Sequence, residues 1–319
     1  MNFIEPKCSI IKQNPGIEGI YEIATKCGYI CYKTEKEITP ESAKKFINAL
    51  YKSGHGSVLE HGTVYLKCVW DTVEDWKEKV LPIKYSKNHF SKVNYVSEGD
   101  NKIVGYITTN LRVIYENDWF DDLKYLCEPT EYHERRVTVD FLMDRVGSQS
   151  AMRHRGENGN SFSQESTRYC DYSDNEKFGE EGIKYSIPHW TNKEDILKVI
   201  NDKDNWLGTL GLVHKEYLKS KVIGAKTECL FDKLIYWLAA NDFSEFCYMQ
   251  LINCGMKPED ARGILGLDIN TEFAMTAFVS DWEHFFALRV DGVTGRPHPD
   301  IQKIATELKN KFIENGYIK

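Results

Sequence analysis

The residues best suited to chemistry lie in one stretch, Arg153–Tyr169, which reads RHRGENGNSFSQESTRY and is called the strip below. Three basic residues open the strip, and a Ser-Thr-Arg-Tyr run closes it. Guanidinium groups present a planar fork of donors that suits phosphate and paired carbonyl groups. Glycine, serine and amide residues add neutral donors and let backbone N–H groups approach a ligand. The strip therefore favours a polyanionic small molecule such as a nucleotide, and a solvated polar loop is the competing interpretation.

Composition limits the class of protein that carries this strip. The chain has 319 residues and a formal net charge of -7, which argues against a general nucleic-acid binder and makes any positive site local. Hydrophobic residues make up 41% of the chain, enough to fill a core. The nine cysteines form no CxxC pair, so we expect reduced thiols and no metal. No apolar run approaches a membrane span, and we expect a soluble cytoplasmic protein.

Local patterns predict the elements that position the strip. Thr39 followed by Pro40 is typical of a helix start, and Ser280–Glu283 matches a capping box that would begin another helix. Charged residues and Pro82 favour an irregular excursion over residues 71–105. Strands are predicted at 64–69, 137–143 and 271–279, a short helix before Arg153, and further helices at 39–54, 116–126, 206–217, 231–238, 258–262 and 300–312.

Strands scattered among long helices without a βαβ rhythm indicate an α+β fold. We expect a mixed or antiparallel central sheet flanked by long helices. We also expect one domain over residues 1–319, with an insertion at about 71–130 relative to compact relatives.

Three blocks in order resemble the flavin-dependent thymidylate synthases. TVDFLMDRVGSQSAMRHR followed by SFSQESTRY is similar to the signature of that family. HGSVLEH, with the Cys-Tyr before it, resembles the N-terminal block, and EDARGIL followed later by FFALR resembles the C-terminal block. A lone Arg-His-Arg would carry little weight, whereas the ordered set covers roughly half of the chain.

The resemblance implies an activity and its partners. Such enzymes methylate dUMP to dTMP with methylenetetrahydrofolate as the carbon donor and FAD reduced by NADPH. They are homotetramers whose active sites are shared between subunits, and they use no cysteine nucleophile. We therefore expect FAD as cofactor and dUMP as substrate, with neither nucleic acid nor membrane as partner.

The resemblance also implies roles for individual residues. Flavin contacts are expected from His55, Ser57, Arg153, His154, Arg155, Gln164 and His284. Substrate contacts are expected from Ser150, Ser166, Arg168, Arg262 and Arg289. Of these, Arg289, Ser166 and Arg168 are the expected catalytic residues, because donors near the uracil oxygens would stabilise developing negative charge. We expect Ser166 to bind substrate rather than act as a nucleophile, since a nucleophile requires an adjacent base.

The chain also departs from the family pattern. Five residues separate Arg155 from Ser161 where the family has two, so either Ser163 or Ser166 can be the signature serine. We favour Ser166 because the Ser-x-Arg-Tyr geometry is local. Gln164 stands where the family often has Glu, and Phe278 where it has Asn.

Three functions remain open on these residues. The leading hypothesis is dUMP methylation. The Gln164 and Phe278 changes motivate a second, in which the same fold modifies another deoxypyrimidine or hydroxymethylates dUMP. The third is a non-catalytic nucleotide- or RNA-binding protein that uses the strip. Single residues have structural alternatives as well: a helix C-terminal cation for Arg289, a surface ion pair for Arg262, a structural histidine for His61 and a surface position for His133.

Overall fold

The computed structural model describes residues 1–71, 76–98, 102–153, 156, 159–178, 182–202 and 230–319. These residues divide into two compact units, each assembled from three stretches of chain. The larger unit comprises Lys7–Leu142, Gly147–Ser166 and Thr271–Lys319. The smaller unit comprises Met1–Pro6, Met143–Val146 and Thr167–Asn270. The single-domain expectation stays a prediction, and the helix predicted at 206–217 lies outside the described residues.

A four-stranded sheet in the order β2-β6-β9-β7 carries most of the strip's surroundings. Its strands are β2 (Lys7–Ile11), β6 (Arg136–Asp144), β7 (Ser161–Gln164) and β9 (Asn270–Phe278). β2 pairs antiparallel with β6, and β7 pairs antiparallel with β9. The strands predicted at 137–143 and 271–279 are confirmed, whereas β7, inside the strip, was not predicted.

The larger unit also contains a three-stranded antiparallel sheet in the order β3-β5-β4. Its strands are β3 (Thr63–Asp71), β4 (Lys92–Glu98) and β5 (Lys102–Asn110). The prediction that residues 71–105 are irregular is therefore wrong, because this range contains β4 and the helix α3 (Trp76–Ser86). β5 buries consecutive residues rather than every second one, which removes the period of two from its sequence. Gly105 permits this packing, because a Cβ there would lie 3.0 Å from Pro82 of α3.

Other helices of the larger unit cover these sheets. They are α1 (Gly16–Tyr32), α2 (Pro40–Lys52), α4 (Leu111–Glu116), α5 (Arg145–Met152, whose first two residues belong to the smaller unit), Val279–Arg289 and Pro299–Glu314. The predicted start of α2 is confirmed: Ser42 N–H donates to Thr39 Oγ1 at 3.2 Å, and Thr39 N–H donates to Ser42 Oγ at 2.9 Å. Trp282, Phe285, Phe286 and Phe312 form an aromatic core between the last two helices.

Two predicted helix boundaries are wrong. The helix predicted at 116–126 is α4 followed by a 3₁₀ turn, Phe120–Tyr125, because Asp118 adopts a left-handed φ of 55° between them. The helix Val279–Arg289 has no capping box at Ser280. Its first N–H groups are satisfied by a distant segment instead: Val279 donates to the Arg135 carbonyl at 2.9 Å, and Ser280 to Glu134 Oε1 at 3.3 Å.

The smaller unit pairs a two-stranded parallel sheet with helices. Its elements are β1 (Asn2–Ile4), β8 (Lys184–Ser186), α6 (Asn175–Phe178), α7 (Lys193–Asn201), Leu230–Asn253 and Pro258–Ala261. Phe3, Tyr185, Leu234, Leu238 and Tyr248 share its core. The helices predicted at 231–238 and 258–262 are confirmed, although Arg262 itself begins a 3₁₀ turn.

The architecture is α+β, as the sequence predicts, with antiparallel strand pairs and flanking helices in the larger unit and a two-stranded parallel sheet in the smaller unit. Within the part of the chain that the structure describes, each helix is too short or too polar to cross a membrane.

Candidate functional site

The second half of the strip is fixed by strand pairing. β7 lies beside β9 with Ser161 opposite Thr276 and Gln164 opposite Phe273. Pairing extends one residue further, because Glu165 N–H donates to the Glu272 carbonyl at 2.8 Å. The strip therefore leaves the sheet just before Ser166, which is only partly buried.

His61 contacts β7 through a buried side-chain hydrogen bond. The imidazole is fully buried, with Nε2 3.0 Å from Ser163 Oγ and Nδ1 2.7 Å from Thr276 Oγ1. Burial and, secondarily, the charge of buried Arg136 lower the pKa of His61 to about 3, so the ring is neutral at physiological pH. The structural interpretation of His61 is confirmed. The ring ties the turn Gly56–His61, which carries Ser57, to the strip.

Gln164 is the last residue of β7. Its side-chain amide donates to Ser148 Oγ at 2.9 Å and to Thr271 Oγ1 at 3.3 Å. A glutamate here would face two hydroxyls, either of which can donate to a carboxylate. The Gln164 amide instead acts as the donor, and it links β7 to α5 and β9.

Arg289 and Arg153 form a cationic pair in the larger unit. Arg289 ends the helix Val279–Arg289, and its NH2 donates to the Ser150 carbonyl at 2.7 Å. The pKa of Arg289 is lowered by partial burial and by the charge of Arg153. Arg289 Nε is buried and has no hydrogen-bond partner among the described residues. Among the described residues no carboxylate forms an ion pair with either guanidinium.

Arg168 and Arg262 lie together in the smaller unit. Arg168 Nε donates to Glu259 Oε2 at 2.9 Å, and its side chain is 56% exposed. This hydrogen bond lowers the pKa of Glu259. Arg262 donates to the Glu259 carbonyl at 3.1 Å and to Thr167 Oγ1 at 3.3 Å. The two guanidinium groups therefore share one acidic residue at the end of the strip.

The remaining predicted site residues lie at the surface or outside the described residues. His55, Ser57 and His284 are exposed, and His55 Nδ1 is 3.2 Å from Ser53 Oγ. Ser166 N–H donates to the Cys31 carbonyl at 3.1 Å, which fixes its backbone beside α1. His154 and Arg155 lie outside the described residues.

The sequence interpretation missed several buried polar residues. His133 is 5% exposed rather than at the surface, since its ring packs edge-on against Tyr65 and Tyr106 and its Nε2 lies 3.1 Å from the Leu66 carbonyl. A charged cluster beside the strip was missed as well: Lys33 forms ion pairs with Glu165 and Glu272. Glu165 inside the signature was the one available signal for this cluster.

The fold and the site define an α+β protein with a cationic, hydroxyl-rich strip suited to a phosphate-bearing ligand. A family model described as Thymidylate synthase complementing protein matches residues 131–315, more than half of the chain. The chain belongs to this family, the flavin-dependent thymidylate synthases.

No curated protein matches the chain. Two solved structures of the UMP/dUMP methylase PolB from Streptomyces cacaoi are similar to it, each at 13% identity over 98% of this chain. The structure bound with 5-Br UMP has a TM-score of 0.41 and is covered over 92% of its length. The structure bound with 5-Br dUMP has a TM-score of 0.43 and is covered over 93%.

Proposed function

We propose that the protein methylates dUMP to dTMP, with methylenetetrahydrofolate as carbon donor and FAD reduced by NADPH. Family membership over residues 131–315 supports this class of reaction. The proposal includes a cytoplasmic homotetramer with active sites shared between subunits, as expected from the resemblance.

The observation that carries the proposal is the closeness of two guanidinium groups, Arg289 and Arg153, neither of which forms an ion pair within the described residues. These two lie close enough to repel each other, and Arg289 has a buried donor without a partner in the described part of the chain. Burying a charge without a counter-charge is costly, so a ligand that brings negative charge would stabilise the arrangement.

A flavin nucleotide fits this donor set. FAD carries a pyrophosphate, and paired guanidinium groups are suited to phosphate oxygens. Gly156 packs directly against Asp281, since a Cβ there would lie 2.2 Å from the Asp281 carboxyl carbon. When bound, the flavin supplies the hydride that completes the new methyl group.

The protein's own residues then bind and orient the substrate. Arg289 and Arg153 hold anionic groups at the larger unit, and Gln164 fixes the strip by its bonds to Ser148 and Thr271. Arg168 and Ser166 hold the dUMP phosphate, and Arg262 supports them. A guanidinium near the uracil oxygens stabilises negative charge on the ring as its carbon becomes nucleophilic. Arg289 is proposed for this role. Arg168 and Ser166, the other expected catalytic residues, contribute by holding the substrate.

Purified protein tests the proposal directly. A visible flavin absorbance band that changes when dUMP is added, followed by formation of dTMP identified by mass spectrometry, is the expected result. A hydroxymethylated product would replace the proposal with hydroxymethylation of dUMP. A colourless protein that neither binds FAD nor oxidises NADPH, yet binds RNA with steep salt dependence, would indicate the non-catalytic function.

Variants at the strip test the residue roles. Arg168→Ala should weaken dUMP binding, whereas Glu259→Gln, which removes the acid that now pairs with Arg168, should not. If the ion pair were the only role of Arg168, the two variants would behave alike. His154→Ala should mainly impair flavin function. Equal dUMP affinity in Arg168→Ala and the unmodified protein would contradict the assignment.

A further inference from the structure

A cavity of the larger unit is lined by none of the residues predicted for the flavin or the nucleotide. Its volume is about 200 Å³, and residues of β2, α1, β3 and β6 line it together with Tyr317 near the C-terminus. Three cationic residues, Lys12, Arg135 and Arg136, lie on its wall, against one acidic residue, Glu128.

Arg136 is the deepest of these cations. It is 8% exposed, with NH1 donating to the Glu60 carbonyl at 2.9 Å and NH2 donating to Ser161 Oγ at 3.1 Å. Its Nε is buried without a hydrogen-bond partner in the described residues. NH1 also donates to Thr63 Oγ1 at 3.4 Å, and the guanidinium lies 5.5 Å from the Phe278 ring centre. All three hydrogen bonds go to neutral oxygens, so none of them neutralises the charge.

Carboxylates near Arg136 are committed elsewhere or are not bonded to it. Glu60 favours the charged form of Arg136 but pairs with Arg112 at 2.5 Å. Asp281 also favours the charged form, yet among the described residues no carboxylate forms an ion pair with Arg136. Burial lowers the pKa of Arg136 to about 10, which still leaves it charged at neutral pH. A buried and unpaired guanidinium is costly to the fold.

The exposed residues at the mouth of the cavity also include more cations than carboxylates. Lys12, Arg135 and Glu128 are exposed, and none of them forms an ion pair within the part of the chain that the structure describes. Three cations and one carboxylate leave an excess of two positive charges around one small cavity. A chain with net charge -7 has ample acid to balance such a group, so its absence here points to an external anion.

We propose that this cavity binds a small molecule through a phosphate group, separately from the flavin and nucleotide site. A phosphate monoester carries close to two negative charges near neutral pH, which matches the excess, whereas a single carboxylate leaves one positive charge unbalanced. Arg136 contributes buried positive charge, and Lys12 and Arg135 supply donors and charge at the mouth. Inorganic phosphate and a small phosphomonoester share this chemistry.

Titration calorimetry of the full chain in phosphate-free buffer tests the proposal, with inorganic phosphate and glycerol 3-phosphate as the two probes. Arg135→Gln combined with Lys12→Gln should weaken binding of at least one probe by roughly tenfold or more, because hydrogen bonds to charged groups contribute on this scale. Both side chains are exposed, so the double variant should keep the melting temperature of the unmodified protein. The matched control is Arg296→Gln combined with Lys87→Gln, since those residues are exposed and do not line the cavity.

Arg168→Gln distinguishes this cavity from the nucleotide site. Under the proposal it leaves the cavity's phosphate binding unchanged. If phosphate binding is lost in Arg168→Gln but kept in the double variant, the phosphate occupies the nucleotide site and the proposal is overturned. It is also overturned if neither probe binds, or if the double variant and its control bind both probes equally well.

Discussion

His61 and Ser163 are joined by a buried hydrogen bond of 3.0 Å, although 102 residues separate them in sequence. The other nitrogen of the same ring lies 2.7 Å from Thr276 Oγ1. One neutral imidazole therefore holds the turn Gly56–His61 against two strands of the four-stranded sheet. The strip's position relative to the N-terminal block depends on this side chain.

Replacing His61 should destabilise the protein. His61→Ala removes two buried hydrogen bonds and leaves the Ser163 hydroxyl without this partner, so we expect a loss of about 2–4 kcal/mol in the free energy of unfolding. Urea denaturation followed by fluorescence measures the change. His284→Ala is the control, because His284 is exposed. A loss no larger than that of the control would contradict the buried role of His61.

The buried histidine should also make stability depend on pH. Its pKa is lowered to about 3 in the folded state from an ordinary value near 6.5, so below pH 6.5 the unfolded chain takes up a proton that the folded chain does not. The stability it contributes is therefore present above pH 6.5 and lost as pH falls toward 3, at up to about 1.4 kcal/mol per pH unit. Comparing unfolding of the unmodified protein with His61→Gln across this range isolates the effect. Parallel curves for the two proteins would contradict it.

Asp140 should show the opposite dependence. Burial and, secondarily, the charge of Glu272 raise its pKa to about 6 from 3.8, and its Oδ1 has no hydrogen-bond partner among the described residues. The folded state therefore favours the protonated carboxyl, and stability is lost as pH rises from about 4 through 6. Asp140→Asn should be more stable than the unmodified protein at pH 8, by up to about 2–3 kcal/mol, and lose that advantage near pH 4. Thermal unfolding at pH 8 and at pH 4 measures the two stabilities, and Asp121→Asn is the control because Asp121 is exposed. A lower stability of Asp140→Asn than of the unmodified protein at pH 8 would refute the prediction.

Elements with local signals were predictable from the sequence. The start of α2 depends on Thr39, Pro40 and Ser42, three neighbours whose contacts are visible in order along the chain. β4 and β5 were missed because their stability comes from pairing with each other and with β3, while β5 shows no alternation. The start of the helix Val279–Arg289 was placed two residues late, with Ser280 rather than Phe278 as its N-cap, because its first N–H groups bond to residues 134 and 135, far away in sequence.

The candidate site, like the fold, could be predicted from the sequence only in part. The ordered motifs indicated the family and the residues of the strip, and the family is confirmed. The contacts of those residues were not predictable, because His61 meets Ser163 and Thr276 across 102 and 215 residues. Arg136 was missed because an arginine within a strand pattern gives no sign of whether its head group is buried or exposed.

Arg289 should contribute to ligand binding more than to stability. Within the part of the chain that the structure describes, Arg289 donates to the Ser150 carbonyl, so Arg289→Gln should cost only about 1 kcal/mol of unfolding free energy. The same variant should weaken dUMP binding by roughly tenfold or more, because a charge-assisted contact is lost. Calorimetric titration with dUMP measures the affinity, and Arg296→Gln is the exposed control. Unchanged affinity with lowered stability would instead assign Arg289 the role of a helix C-terminal cation.

Two serines of the strip should separate stability from binding. Ser163 is 3% exposed and bonded to His61, so Ser163→Ala should leave a buried ring nitrogen unsatisfied and cost about 1–3 kcal/mol, with dUMP affinity retained in the folded fraction. Ser166 lies past the last strand pair and is partly exposed, so Ser166→Ala should keep the unfolding free energy and weaken dUMP binding. Urea denaturation and dUMP titration of both variants give the comparison. The reverse pattern would make Ser163 the signature serine and move the alignment of the strip by three residues, because the two variants differ only in which hydroxyl is removed.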